Sequence, residues 1–68
     1  MTDFPIVLHT EKLPNGQTKT MSQEAPMLWR VTMWTEDNQD WDWYEYTEQT
    51  NAKEVYDLVT HIDDLEKV

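Results

Sequence analysis

Residues 27–46 read MLWRVTMWTEDNQDWDWYEY and hold all four tryptophans and two of the three tyrosines of the chain. Trp, Val, Thr, Met and Tyr, which suit a pleated, half-buried surface, fill the two ends, while Glu36-Asp37-Asn38-Gln39-Asp40 between them has turn chemistry that strands lack. The stretch predicts a β-hairpin with strands at about 27–35 and 41–47. A loop symmetric about Asn38 sets Met33 opposite Trp43, Val31 opposite Glu45 and Arg30 opposite Tyr46. In that register Trp29, Val31, Met33, Trp41 and Trp43 share one mostly apolar face, the expected core side. Arg30, Thr32, Trp34, Asp42, Tyr44 and Tyr46 share the other. A slip of one residue would exchange the faces.

Upstream, Phe4 to Thr10 is rich in β-formers, and Leu13-Pro14-Asn15-Gly16 is a turn signal: Pro14 presets φ, and Gly16, the one glycine, can adopt the left-handed conformation. A first hairpin is expected at about 5–12 with 17–21. Its second arm, Gln17-Thr18-Lys19-Thr20-Met21, is polar and suits an edge strand. Ser22 to Pro26 reads as a connecting loop, because Pro26 disfavours helix before it and cannot donate to a central ladder.

Downstream the period changes. Ala52, Val55, Leu58, Val59, Ile62 and Leu65 recur every three or four residues, the spacing of one helical stripe, and predict a helix at about 51–66 with Thr50 or Asn51 as N-cap. These pieces make an α+β domain over residues 1–68: an antiparallel meander of three to four strands with one C-terminal amphipathic helix packed on one face. The opposite sheet face stays open. It is expected to display Arg30, Trp34, Tyr44 and Tyr46, residue types that dominate protein interfaces.

Charge narrows the functional classes. The net charge is −9, and all of it falls in residues 35–68, where eleven acids meet only Lys53 and Lys67. Such a field repels nucleic acid and attracts a basic protein. A chain of 68 residues buries only about 60% of the surface its unfolded form exposes, and without cysteine it has no disulfide or thiolate metal site to reinforce it. Dense aromatic packing, a non-thiolate metal or self-association into a homodimer would compensate. The absence of cysteine, of any apolar run near the roughly 20 residues of a membrane span and of a basic, apolar N-terminal leader points to the cytoplasm, away from membranes.

Catalytic and metal signals are weak. Asp40 and Asp42 lie two apart on a strand, hence about 7 Å apart, within the range of an inverting carboxylate pair, but so small a domain has little volume for the cleft that would tune them. His61, four after Asp57 and three before Asp64, reads as a surface ion pair on the helix. The run from Asp37 to Asp42 is rich in oxygen ligands, yet it lacks the alternation and the sixth-position glycine of a calcium loop. No enzyme activity, metal or cofactor is expected.

The reading that remains is a small protein-binding regulator or inhibitor whose acidic half docks on a basic partner. Its sharper form is a nucleic-acid mimic in which Glu36, Asp37, Asp40, Asp42, Glu45 and Glu48 imitate a row of phosphates. The alternatives are a structural or homodimeric domain without activity of its own, and a glycan-binding module with Trp34, Tyr44 and Tyr46 as a stacking platform.

Overall fold

Turn chemistry sets the strand boundaries. In the computed structural model, which describes residues 3–67, Gly16 takes φ +88° and donates its N–H to the Leu13 carbonyl at 2.9 Å, while Asn15 Oδ1 accepts the Gln17 N–H at 3.0 Å. This turn joins β1 (Ile6–Lys12) to β2 (Thr18–Ala25). A two-residue turn at Pro26-Met27 leads into β3 (Leu28–Trp34), and a longer loop into β4 (Trp41–Tyr46). The four strands form one antiparallel sheet in the order β1-β2-β3-β4, the expected α+β meander with a C-terminal helix.

The core is the interdigitation of one sheet face with that helix. Met21, Val31 and Met33 from the two central strands meet Ala52, Val55, Tyr56 and Val59 from the helical segment, with Leu13 and Leu65 closing the ends. Each buried Val, Leu or Met among them contributes on the order of 1.5–3 kcal/mol of transfer free energy. The odd face of β3 is thus the core face, as its sequence indicates.

Three sequence expectations fail for physical reasons. First, β2 is a central strand and extends through residues 22–25, which were expected to form a loop; β1 takes the edge. On the core side of β2, the polar Lys19 and, just before the strand, Gln17 are buried. Lys19, only 5% exposed, donates from Nζ to the carbonyl oxygens of Tyr56 at 2.6 Å and Val59 at 3.3 Å, and Gln17 Oε1 accepts the Ile62 N–H at 2.8 Å.

Second, the helix is shorter than its stripe. Helix α1 spans Gln49–Leu58, with Glu48 rather than Thr50 or Asn51 at the N-cap, and a 3-10 segment follows at Ile62–Lys67. Residue Val59 is extended. The last carbonyls of a helix lack intrahelical partners. Lys19 takes two in this region, and Asn15 Nδ2 donates to the Thr60 carbonyl at 2.8 Å, so contacts from β2 and its preceding turn stabilise a break that no proline or glycine marks. Leu58 consequently points outward at 60% exposure, while Leu65 swings into the core at 1%. Asp57 and His61 no longer share a helix face: Asp57 pairs with Lys53, and His61 Nδ1 accepts the Asp63 N–H at 3.1 Å.

Third, the register of the aromatic hairpin is shifted by one. Thr35 and Asp40 close the loop, with the Thr35 N–H on the Asp40 carbonyl at 2.9 Å, so four residues rather than an odd number lie between them. Trp34 therefore pairs with Trp41, Thr32 with Trp43, Val31 with Tyr44 and Trp29 with Tyr46. Every side chain of β4 changes face relative to the symmetric-loop expectation. Tyr44 and Tyr46 lie on the helix side, Tyr46 packed against the core, while Trp41 and Trp43 join the open face. No helix among the described residues is long and apolar enough to cross a membrane.

Candidate interaction surface

The register assembles the open face as three cross-strand rows: Val7-Ser22-Arg30-Glu45, Thr10-Thr20-Thr32-Trp43 and Lys12-Thr18-Trp34-Trp41. Residues directly opposite on neighbouring strands are close enough for their side chains to interact. Three threonines cross the middle of the sheet, with the Thr10 and Thr20 hydroxyls 3.1 Å apart, and aromatic rings collect along the β3–β4 side.

Arg30 is held from three directions. Its Nη1 lies 3.2 Å from Glu24 Oε1, its Nη2 donates to Glu45 Oε2 at 2.7 Å, and the guanidinium carbon stands 4.4 Å from the centre of the Trp43 ring. Arg30 and Glu45 are both in the site expected from sequence, but they are spent on each other. The guanidinium is stacked and charge-paired within the fold.

Two rows from Arg30, across the threonines, Trp34 and Trp41 flank an open depression of about 240 Å³ lined with Thr32 and Asn38. Trp41 is 64% exposed. Asn38 takes φ +59°, a left-handed conformation that asparagine tolerates, and this brings it to the wall of the depression. The tryptophans themselves are the sequence signal for this site, but a loop symmetric about Asn38 turns Trp41 and Trp43 to the core face, whereas the four-residue loop turns them to the open one.

The loop beside the depression is pre-organised. The Thr35 hydroxyl donates to Asp37 Oδ1 at 2.6 Å, and the same oxygen accepts the Gln39 N–H at 3.0 Å. These bonds, the Thr35 one foremost, hold the Asp37 carboxyl below the usual carboxylate range. On the far side of Trp41 a groove is lined by Asp40, Trp41, Asp42, Ile62 and Asp63. Trp41 thus borders both the aromatic depression and an acidic groove. The acidic residues expected to act together divide among separate places. Asp42 lies on the helix side opposite Met33, Glu45 on the open face, Glu36 beside Lys12 at 3.6 Å, and Glu48 at the start of α1, where it accepts from Asn51 at 3.3 Å. They do not form one row.

No family model, no curated protein and no solved structure matches this chain. Function is therefore read from the surface alone. The surface around Trp41 is aromatic on one side and acidic on the other. Among the described residues no group of three or more His, Asp or Glu side chains is placed to hold a metal ion, and Asp40 and Asp42 lie beside a third acid in an open groove.

Proposed function

We propose that the protein is a small acidic protein-binding module, a regulator or inhibitor, that docks on a basic protein. The observation that supports this reading most is how its cations are used. Lys12 faces Glu36, Lys19 lies against the end of α1, Arg30 bridges Glu24 and Glu45, and Lys53 pairs with Asp57. Asp40, Asp42 and Asp63, the last with its carboxylate 3.6 Å from His61 Nδ1, meanwhile line the groove beside the exposed Trp41. An anionic rim around an aromatic anchor suits recognition of a cationic surface: the charge steers encounter, and the ring supplies contact energy. The scattered carboxylates fit this general form better than imitation of a regular phosphate row.

The test is an affinity pull-down at low and high salt, with the Asp40→Asn/Asp42→Asn/Asp63→Asn variant beside the parent chain. A basic protein captured at low salt, released at high salt and lost with the variant supports the reading. Capture indifferent to both salt and variant overturns it. So does a tight homodimer, seen by light scattering, that binds no basic protein: the aromatic face would then serve self-association.

A further inference from the structure

We infer that the Trp34/Trp41 depression receives an arginine side chain of the basic partner, stacked on the indole faces beside an acidic loop. The inference rests on the proposed docking on a basic protein and assigns that docking its central contact.

Three observations carry it. The first is size. The depression, about 240 Å³, falls below the roughly 300–1,000 Å³ of pockets that enclose small-molecule ligands, and it is open to solvent, which fits a guest that is one side chain of a larger partner. The second is lining. Two indoles with one hydroxyl, from Thr32, and one amide, from Asn38, present flat aromatic surface with few directional hydrogen-bonding groups. A sugar ring would need several such groups, whereas a planar guanidinium needs an aromatic face and nearby acceptors.

The third is charge complementarity, and the fold contains its own example. On the same face, one strand row beyond the threonines, the Arg30 guanidinium stands 4.4 Å from the Trp43 ring centre between two carboxylates. The Trp34/Trp41 depression offers the aromatic half of such a site, with no internal arginine and with its carboxylates in the adjoining surface rather than in its lining. Asp37 and Asp40 sit on the loop that contributes Asn38, Asp37 lining the neighbouring depression with Thr35 and Glu36 and Asp40 the groove that Trp41 also borders. No lysine or arginine lines the depression to compete with an incoming cation.

The experiment titrates the 15N-labelled protein with three peptides of equal length, hexa-arginine, hexa-lysine and hexa-glutamine, and follows the indole N–H signals of all four tryptophans by NMR. The Trp41→Ala variant is run in parallel. We expect hexa-arginine to bind, to move the Trp34 and Trp41 indole signals more than those of Trp29 and Trp43, and to bind more tightly than hexa-lysine. Removing the Trp41 ring should weaken hexa-arginine binding roughly five- to tenfold, the scale of a partly desolvated cation–π contact. Trp41 is largely exposed, so the variant should keep its fold, and the wild-type indole shifts give a readout independent of it. Equal affinity for the arginine and lysine peptides, undisturbed Trp34 and Trp41 signals, or unchanged binding by Trp41→Ala would overturn the arginine assignment while leaving acidic docking standing. Failure of both cationic peptides to bind any better than hexa-glutamine would overturn both.

Discussion

The Lys19 Nζ lies 2.6 Å from the Tyr56 carbonyl oxygen and 4.6 Å from the centre of the Tyr56 ring, joining a central strand to the last turn of α1. A cation at the C-terminal end of a helix offsets the partial negative charge there and satisfies carbonyls that the helix itself cannot. Replacing Lys19 with Met keeps most of the buried stem but leaves these carbonyls without their donor. The expected loss is about 1–3 kcal/mol, the usual cost of an unsatisfied buried polar group. In a domain of this size that corresponds to a melting temperature lower by roughly 4–8 °C per kcal/mol. Thermal melts followed by circular dichroism read it directly; an unchanged midpoint would mean that water replaces Lys19 at no cost.

The face assignment of the aromatic hairpin makes a second, sharper prediction. Met33 is fully buried against the helix and Trp41 stands on the open face, although the two are of comparable hydrophobic character. Met33→Ala should destabilise by about 2–5 kcal/mol through lost burial and a residual cavity. Trp41→Ala should cost within about 1 kcal/mol, as changes away from the core usually do. Urea unfolding of the two variants separates the alternatives, and an equally large loss for Trp41→Ala would restore the other register.

That register could not be read from composition. In WDWYEY the outward set, Trp41, Trp43 and Glu45, and the inward set, Asp42, Tyr44 and Tyr46, each hold two aromatics and one acid. Only the number of loop residues decides between them, and that number depends on hydrogen bonds made by Thr35 and on the left-handed Asn38. By contrast, Val31 and Met33 flank polar Thr32, and the alternation identifies the buried face of β3 without help. Helix α1 is legible from its own period, since Ala52 and Val55 within it and Val59 at its C-cap recur at spacings of three and four. Its end is not. Lys19 and Asn15 act from residues about 40 positions earlier, and a local pattern carries no sign of them.

Two titrations report on these local contacts. Asp37 is held below the usual carboxylate range chiefly by the Thr35 hydroxyl, and Asp57 by Lys53. A depressed carboxyl contributes stability that is present above its unfolded-state value and is lost as the pH falls through the folded-state value. Thr35→Val should therefore raise the Asp37 midpoint, and Lys53→Met that of Asp57, in carboxyl-carbon NMR titrations. Tyr56 moves in the opposite sense. Burial, then the Glu11 and Asp57 charges, raise its phenol, so its contribution is intact below the unfolded-state value and is lost as the pH rises through the folded-state one. Its absorbance titration should lie above that of a free tyrosine, and coincidence with the free residue would show the ring to be solvated.

Asn38 connects the loop geometry to the surface it helps to line. At φ +59° its backbone occupies a region that glycine enters freely, asparagine tolerates and β-branched residues resist. Asn38→Gly should keep or slightly raise stability, whereas Asn38→Val should lower it by roughly 1–2 kcal/mol, the steric cost of that conformation. If the four-residue loop sets the pairing of Trp34 with Trp41, the glycine variant should also preserve the cross-strand amide contacts of β3 and β4 in nuclear Overhauser spectra. A glycine variant that loses those contacts would show that the Asn38 side chain, rather than its backbone conformation, holds the register and therefore the arrangement of tryptophans on the open face.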